Sequence, residues 1–160
     1  MAVWETLGAS DEWYTPKYIF DAIDEGFDLD VAAPFNGGPH VPTAEWFSMG
    51  SLEKDWWGFV WMNPPFGGNN GLKPWIEKFF NHGNGIALTP DRSSSAWWHD
   101  CAKRCDGLLV ISGRVKFIRA DGTVGKSPSC GTTLWASGER ASKALKRASK
   151  AGLGLYMEVK

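Results

Sequence analysis

The tetrapeptide Asn63-Pro64-Pro65-Phe66 has the residue types needed for one demanding reaction, the methylation of an exocyclic amine on a nucleic-acid base. Such an amine is a poor nucleophile because its lone pair is conjugated with the ring. The side-chain carbonyl of Asn63 and the backbone carbonyl of Pro64 can accept its two hydrogens and draw the nitrogen toward tetrahedral geometry. The two prolines fix the backbone and so preorganise both acceptors. Phe66 adds a flat face on which a base can stack.

An Asn-Pro-Pro sequence is also an ordinary turn that ends a strand, and four residues alone do not separate the two interpretations. Here the tetrapeptide follows the apolar run 58–62, which predicts a short buried strand. A polar segment at the end of such a strand lies at the carboxyl edge of the sheet, where open α/β sheets bind their ligands. This position favours a binding site over a simple turn.

Alternation of apolar strands with helical segments predicts one α/β domain with a mostly parallel sheet and helices on both faces. Thr15-Pro16 is typical of a helix start, and Gly26 of a helix end. Residues 1–12 are expected to be loose, 67–70 to form a flexible loop, and 114–124 to form a hairpin around Asp121-Gly122. Strands are predicted at 27–33, 45–47, 59–62, 86–88, 108–111, 131–136 and 153–159, and further helices at 73–81, after 93–95 and at 139–150.

Polar or sharply turning segments follow three of these strands, at 30–33, 63–66 and 89–92. Since the carboxyl ends of parallel strands meet at one edge of a sheet, we expect these distant segments to lie close together. The sequence therefore predicts one site that is built from all three.

The composition excludes several classes of protein. The 160 residues suit a single globular domain, and ten tryptophans exceed what a core needs, which favours stacking surfaces. No apolar run approaches the ~20 residues of a membrane span, and the amino terminus lacks the pattern of a signal peptide. Three cysteines cannot all pair within the chain, so a cytoplasmic location is expected.

Cys101 and Cys105 lie four residues apart on a predicted helix, with His99 nearby. A metal site needs further ligands at suitable spacing, and none is evident. Buried thiols on a helix are the favoured interpretation, and no metal is predicted.

The net charge of -1 conceals a strong asymmetry along the chain. Residues 1–113 contain 15 acidic and 7 basic side chains, whereas residues 114–160 contain 3 acidic and 10 basic ones. A basic region on an acidic protein is what contact with a phosphate backbone requires, although a solvated basic helix gives the same composition. Either the hairpin at 114–124 or the helix at 139–150 can serve as that surface.

Ordered segments along most of the chain resemble the small phage-type DNA N6-adenine methyltransferases, a Dam-like family. The resemblance implies a Rossmann-like fold that uses S-adenosylmethionine as methyl donor, acting on DNA. The segments that carry it are 11–16, 27–33 with Asn36, Leu52 with Trp56, 63–67, Trp75 with Lys78, 89–99 and 113–117.

The resemblance also implies roles for individual residues. Asn63, Pro64, Pro65 and Phe66 would hold a target adenine that has been flipped out of the duplex. Cofactor contacts are implied for Trp13, Tyr14, Thr15, Pro16, Asp30, Ala32, Ala33 and Asn63.

Two positions depart from the family pattern. The segment Asp30-Val31-Ala32-Ala33 has no glycine, and Gly50-Ser51 stands where relatives often carry an acid. Glu45 is therefore the candidate for binding the ribose hydroxyls of the cofactor.

DNA contacts are expected from Arg92 and Trp98 near the base pocket, and from Arg114, Lys116 and Arg119 on the hairpin. No segment is large enough for a separate target-recognition domain. Methylation of RNA adenine or of a protein amide, and an inactive nucleic-acid-binding protein on the same fold, remain alternatives. The recognition sequence and the oligomeric state are not predicted, and a phage-encoded chain would act in the cytoplasm of the bacterial host.

Overall fold

The computed structural model describes residues 13–66 and 71–159. The expected loose segment 1–12 and the expected flexible loop 67–70 lie outside the described residues. The strands are β1 (Trp13–Tyr14), β2 (Leu29–Asp30), β3 (Val60–Met62), β4 (Gly85–Pro90), β5 (Gly107–Ile111), β6 (Ile118–Arg119), β7 (Thr132–Ser137) and β8 (Gly154–Met157). The helices are α1 (Lys17–Ile23), α2 (Lys73–His82), α3 (Ala96–Arg104) and α4 (Glu139–Lys150), with a short 3-10 helix at Ser51–Glu53.

Six strands form one mixed sheet in the order β2-β3-β4-β7-β5-β8. Only β2–β3 and β3–β4 pair in parallel, whereas β7 pairs antiparallel with both β4 and β5, and β8 pairs antiparallel with β5. The prediction of a mostly parallel sheet was therefore wrong. A parallel return needs a crossover that passes over one face of the sheet. Residues 112–131 between β5 and β7 hold a hairpin and no helix, and β7 comes back antiparallel.

Alternating side chains of the central strands build two apolar clusters, one on each face of the sheet. Trp61 and Leu88 pack on one face with residues of α1 and α4. Met62 and Trp135 pack on the other face with residues of α2 and α3. Helices thus cover both faces, as expected for an α/β protein.

Helix α1 begins and ends at different residues from those that the sequence predicts. Pro16 occupies the N-cap position, and Thr15 lies one residue earlier, which leaves its hydroxyl available for contacts elsewhere. The helix ends at Asp24, which adopts the left-handed conformation with φ 52°, and not at Gly26. Asp and Asn tolerate this conformation better than most other side chains, so no glycine was needed.

The predicted strand 27–33 is reduced to the two residues of β2. The backbone of Asp30 exchanges hydrogen bonds with the segment 45–47 at a single parallel bridge, with N–O distances of 3.0 and 2.8 Å. This segment lies alongside β2 and does not form the separate strand that was expected. Its pairing nevertheless covers the edge of the sheet beside Asp30.

A second, two-stranded sheet joins β1 to β6 in antiparallel fashion, with Trp13 opposite Arg119. The predicted hairpin supplies β6: Ile118 bridges Val124, and Gly122 takes the positive φ of 87° in the turn. This pairing brings the beginning of the described chain against residues more than a hundred positions later.

Neither a helix suited to spanning a bilayer nor a group of three metal-ligating side chains occurs within 13–66 and 71–159.

Candidate active site

A cavity of about 850 Å³ opens at the carboxyl edge of β2, β3 and β4. Its lining includes Asp30, Asn63 and Arg92, one from each of the three segments that the sequence predicts to converge. Their convergence is confirmed. The remaining residues of the wall are Trp13, Tyr14, Thr15, Ala32, Pro34, Phe35, Gly38, Val41, Ser48, Met49, Trp61, Pro64, Pro65, Phe66, Leu88, Pro90, Phe117, Arg119, Lys126, Pro128, Cys130, Gly131 and Thr132.

The amide of Asn63 is held by a neighbour from the other end of the site. Its Nδ2 donates to Oγ1 of Thr15 at 3.1 Å, and Thr15 is only 6% exposed. This contact uses one of the two amide hydrogens, and the carbonyl oxygen Oδ1 is available to accept a hydrogen bond from a ligand. No other hydrogen bond of this side chain occurs among the described residues.

The residues after Asn63 pass from the interior to the surface. Pro64 is buried, Pro65 is partly buried, and Phe66 exposes 43% of its surface at the cavity. Two consecutive prolines hold this path rigid, since the ring of each fixes φ. The aromatic ring is therefore presented to a ligand from a stiff backbone.

Asp30 supplies a deeply buried carboxylate to the same cavity. The residue is 2% exposed, and its Oδ1 accepts one hydrogen bond from the backbone N–H of Ala32 at 3.1 Å. Burial raises the pKa of Asp30 to about 7, and the Ala32 hydrogen bond only partly opposes this. Asp30 is the single carboxylate among the described residues of the lining, so hydrogen-bond donors or a cation on a ligand would meet it there.

The indole of Trp13 forms part of the cavity wall. The guanidinium of Arg119 lies 5.0 Å from the ring centre of Trp13, in cation–π contact. On another side of the ring, a Cβ at Gly125 would come within 2.5 Å of the indole, so only glycine fits. Arg119 is in turn bonded from Nη1 to Oγ1 of Thr123 at 3.4 Å and to the carbonyl of Val124 at 3.2 Å.

A protein-family model described as DNA N-6-adenine-methyltransferase (Dam) matches residues 6–133. The chain belongs to this family. Membership supports DNA adenine methyltransferase activity in general terms, and every lining residue of the cavity falls within the matched range. No curated protein and no solved structure matches the chain.

The remaining residues expected at the cofactor lie in different surroundings. Tyr14, Thr15 and Ala32 line the cavity of this family member. Pro16 and Ala33 are buried behind the wall, and the N–H of Ala33 donates to the carbonyl of Phe47 at 3.0 Å. Both residues lie outside the lining, and their expected cofactor contacts stay a prediction.

The side chain of Glu45, the expected ribose ligand, is exposed and outside the lining. The residue contributes mainly through its backbone, because its carbonyl accepts the Asp30 N–H at 3.0 Å. Asp30 thus occupies the cavity that Glu45 was expected to reach.

The residues expected to contact DNA separate into three settings. Arg92 and Arg119 line the cavity. Arg114 and Lys116 are exposed and lie outside the lining. Trp98 packs between helix and sheet: its Nε1 donates to Oγ1 of Thr133 at 3.2 Å, and its ring lies 5.0 Å from that of Trp135.

Several wall residues were not predicted from the sequence. Phe117, Lys126 and Cys130 enter the cavity from the connection between β5 and β7. The clustering of basic residues after position 113 was the signal for Lys126. Phe117 lies in the segment 113–117 that carries the resemblance, although no role was assigned to it, and Cys130 carries no local motif. The path of the connection brings both to the cavity.

Cys101 lies in α3, and Cys105 caps the carboxyl end of that helix. Cys101 is 1% exposed, and burial raises the pKa of its thiol to about 12. Cys105 is partly buried, and burial raises the pKa of its thiol to about 11. Burial of both thiols agrees with the packing role that the sequence predicts.

Proposed function

We propose that this chain transfers a methyl group from S-adenosylmethionine to the N6 amine of adenine in DNA, with the target base turned out of the duplex into the cavity at Asn63. The observation that carries the proposal is the oriented Asn63 amide, whose nitrogen is engaged by Thr15 and whose carbonyl is left to a ligand. Turning the base out is required because adenine is paired and stacked inside a duplex, where its amine cannot reach the cavity.

The chain's own residues hold the amine. Asn63 Oδ1 and the Pro64 carbonyl accept its two hydrogens and weaken the conjugation of the nitrogen lone pair with the ring. Phe66 stacks on the base, and the Pro64-Pro65 backbone keeps both acceptors fixed. Asn63 has no titratable proton, so these residues accelerate the reaction by positioning and orientation and not by general base catalysis.

The cavity fits the methyl donor. S-adenosylmethionine, when bound, supplies a methyl group on a positively charged sulfur. The buried Asp30 carboxylate offers an acceptor for its hydrogen-bond donors, and the aromatic face of Tyr14 favours a nearby cation. The volume of about 850 Å³ lies in the range of sites that enclose a ligand of this size. In this proposal Asp30 takes the role for which Glu45 was considered.

The organisation around the site supports a Rossmann-like methyltransferase domain. β2, β3 and β4 pair in parallel, with α2 connecting β3 to β4, and the cavity opens at their carboxyl ends. Ligands bind at this position in open α/β sheets. We assign the whole chain to this single domain, with target recognition from its loops and hairpin.

The test is transfer of labelled methyl from S-adenosylmethionine to DNA from a methylation-free host, with RNA and protein offered in parallel. We expect label in DNA adenine and its loss in Asn63→Ala, while calorimetry shows that this variant still binds the cofactor. Label in RNA or protein alone would overturn the choice of substrate. Absence of cofactor binding in the unmodified chain would favour an inactive DNA-binding protein, and undiminished turnover by Asn63→Ala would remove the role of that amide.

A further inference from the structure

The basic carboxyl-terminal region contains two surfaces, and their charged side chains differ in whether they have partners within the protein. The first is helix α4. The second is residues 112–131, the connection between β5 and β7, which we call the basic connection. It carries the four cations Arg114, Lys116, Arg119 and Lys126 and the single carboxylate Asp121.

Most cations of α4 are engaged within the protein. Glu25 accepts from Arg140 at 2.9 Å and lies 3.4 Å from Arg147, which also donates to the carbonyls of Ile23 and Asp24 at 2.9 and 3.1 Å. These contacts fasten α4 to the end of α1. In addition, Lys143 pairs with Glu139 at 2.9 Å, and Lys146 pairs with Glu158 at 3.1 Å.

In the basic connection, by contrast, most cations have no ion-pair partner among the described residues. Arg114, Lys116 and Lys126 are exposed, and among the residues that the structure describes none of them lies in an ion pair. Arg119 is bonded within the hairpin and against Trp13. Arg92, which follows β4, is likewise exposed and has no carboxylate partner in the described part of the chain. Arg92, Arg114, Lys116 and Lys126 are therefore available to an external anion.

The basic connection and α4 also differ in their position relative to the cavity. Arg119 and Lys126 line the cavity together with Arg92. By contrast, α4 begins after Ser137, which pairs with Gly85 at the start of β4, so that the helix starts at the edge of the sheet opposite the cavity. The family match, which ends at residue 133, contains the basic connection and not α4.

Exposed aromatic rings stand among the cations of the cavity. Trp13 is 46% exposed, Phe66 43% and Phe35 72%, and all three line the same opening. Cations that follow a backbone, interleaved with flat rings for bases, are the combination that binds a nucleic-acid strand.

We propose that the phosphate backbone of the DNA strand that carries the target base crosses the mouth of the cavity on the basic connection and Arg92, and that α4 takes no part. This rests on the proposed function. A flipped base stays joined to its own sugar and phosphates, so the flanking phosphates must lie at the mouth of whichever cavity receives it. Positive charge is required there, and the basic connection supplies it.

Matched pairs of substitutions separate the two surfaces. Lys116→Gln/Lys126→Gln removes two charges from the basic connection, and Lys143→Gln/Lys146→Gln removes two from α4. Binding of a mixed-sequence duplex is measured by fluorescence anisotropy over a range of salt concentrations, and thermal melts verify that both variants are folded. Each phosphate contact contributes about 0.9 to the slope of log K against log salt. We expect the first pair to flatten the slope by about two such contacts and the second pair to leave it unchanged.

Equal slopes of log K against log salt for the two variants would overturn the proposed surface. A slope that flattens only in the α4 variant would overturn it as well. Transfer of labelled methyl, measured on the same preparations, tests the proposed function independently of the binding surface. Transfer to DNA with equal slopes would refute the surface alone. Absence of transfer, together with a slope that changes only in the Lys116/Lys126 variant, would refute the methyltransferase function and leave the DNA surface standing.

Discussion

Nδ2 of Asn63 donates to Oγ1 of Thr15 at 3.1 Å, although the two residues are 48 positions apart in the chain. Thr15 lies between β1 and α1, and Asn63 follows β3. The contact therefore joins the amino-terminal segment of the described chain to the end of a central strand. This hydrogen bond fixes the orientation of the Asn63 amide in the cavity.

Replacement of Thr15 by Val keeps the shape of the side chain and removes the acceptor for the Asn63 amide. We expect kcat to fall roughly tenfold with little change in cofactor affinity, because a neutral hydrogen bond contributes about 0.5–1.5 kcal/mol. Thr15→Ser retains the hydroxyl and is expected to restore most of the rate. Steady-state kinetics of all three proteins measure this, and an equal loss in the Ser variant would show that packing, not the hydroxyl, matters.

Replacement of Phe66 by Ala removes the exposed ring at the cavity. Stacking of a base on an aromatic side chain contributes about 1–3 kcal/mol, so KM for DNA is expected to rise about tenfold or more. Calorimetric titration with cofactor alone should be unaffected. Trp57→Ala is the matched control, since Trp57 is 44% exposed and does not line the cavity. A similar rise in KM for that variant would contradict a specific role for Phe66.

Asp30→Asn tests the buried carboxylate through stability as well as binding. Burial raises the pKa of Asp30 from its ordinary 3.8 to about 7, so between these values the folded protein holds a proton that the unfolded chain has released. The stability of the unmodified protein should therefore fall as pH rises from about 4 to about 7.

The Asn variant does not titrate at this position and keeps the acceptor for the Ala32 N–H. We expect it to melt at a higher temperature than the unmodified protein above pH 7, with the difference shrinking as the pH falls toward 4. Cofactor affinity, measured by calorimetry at neutral pH, should decrease. Identical pH dependence of melting in the two proteins would show that Asp30 is not the titrating group.

Glu25→Gln tests the structural use of the basic helix. The Glu25 side chain is 19% exposed and accepts from both Arg140 and Arg147, whose side chains are about half exposed. Loss of its charge is expected to lower the free energy of unfolding by about 1–2 kcal/mol, a value reduced to allow for solvent screening.

Glu139→Gln is the control, because the Glu139–Lys143 pair is fully open to solvent and its loss should leave the unfolding curve unchanged. Denaturant unfolding measures both variants. Equal effects of the two substitutions would contradict a special role for the Glu25 contacts.

Local signals were sufficient for much of the fold and for the location of the site. The apolar stripe and charges of α4 predict its limits at 139–150, as observed, and α2 was predicted to within one residue. Asn63-Pro64-Pro65-Phe66 was predicted to lie at the carboxyl edge of the sheet, and it lies there. Periodicity and turn chemistry operate over a few residues, so one sequence is enough to read them.

Strand direction and side-chain partners depended on contacts that sequence spacing does not encode. β7 inserts antiparallel between β4 and β5, which no local pattern of residues 132–137 indicates. Trp98 packs against Trp135, a contact that sequence spacing does not indicate, and its expected contact with DNA stays a prediction. Each outcome depends on which distant surface the chain meets when it returns to the sheet.

The sequence by itself determined the chemistry that is present: an amide, two prolines and an aromatic ring after a buried strand, and a basic region near the end. Only the tertiary structure decided how these groups are used. It fixed the orientation of the Asn63 amide through Thr15, buried Asp30 at the cavity, and engaged Arg140 and Arg147 at Glu25 while leaving Lys126 exposed. The physical reason is that hydrogen bonds, ion pairs and burial depend on distances in space, and folding sets those distances between residues far apart in the chain.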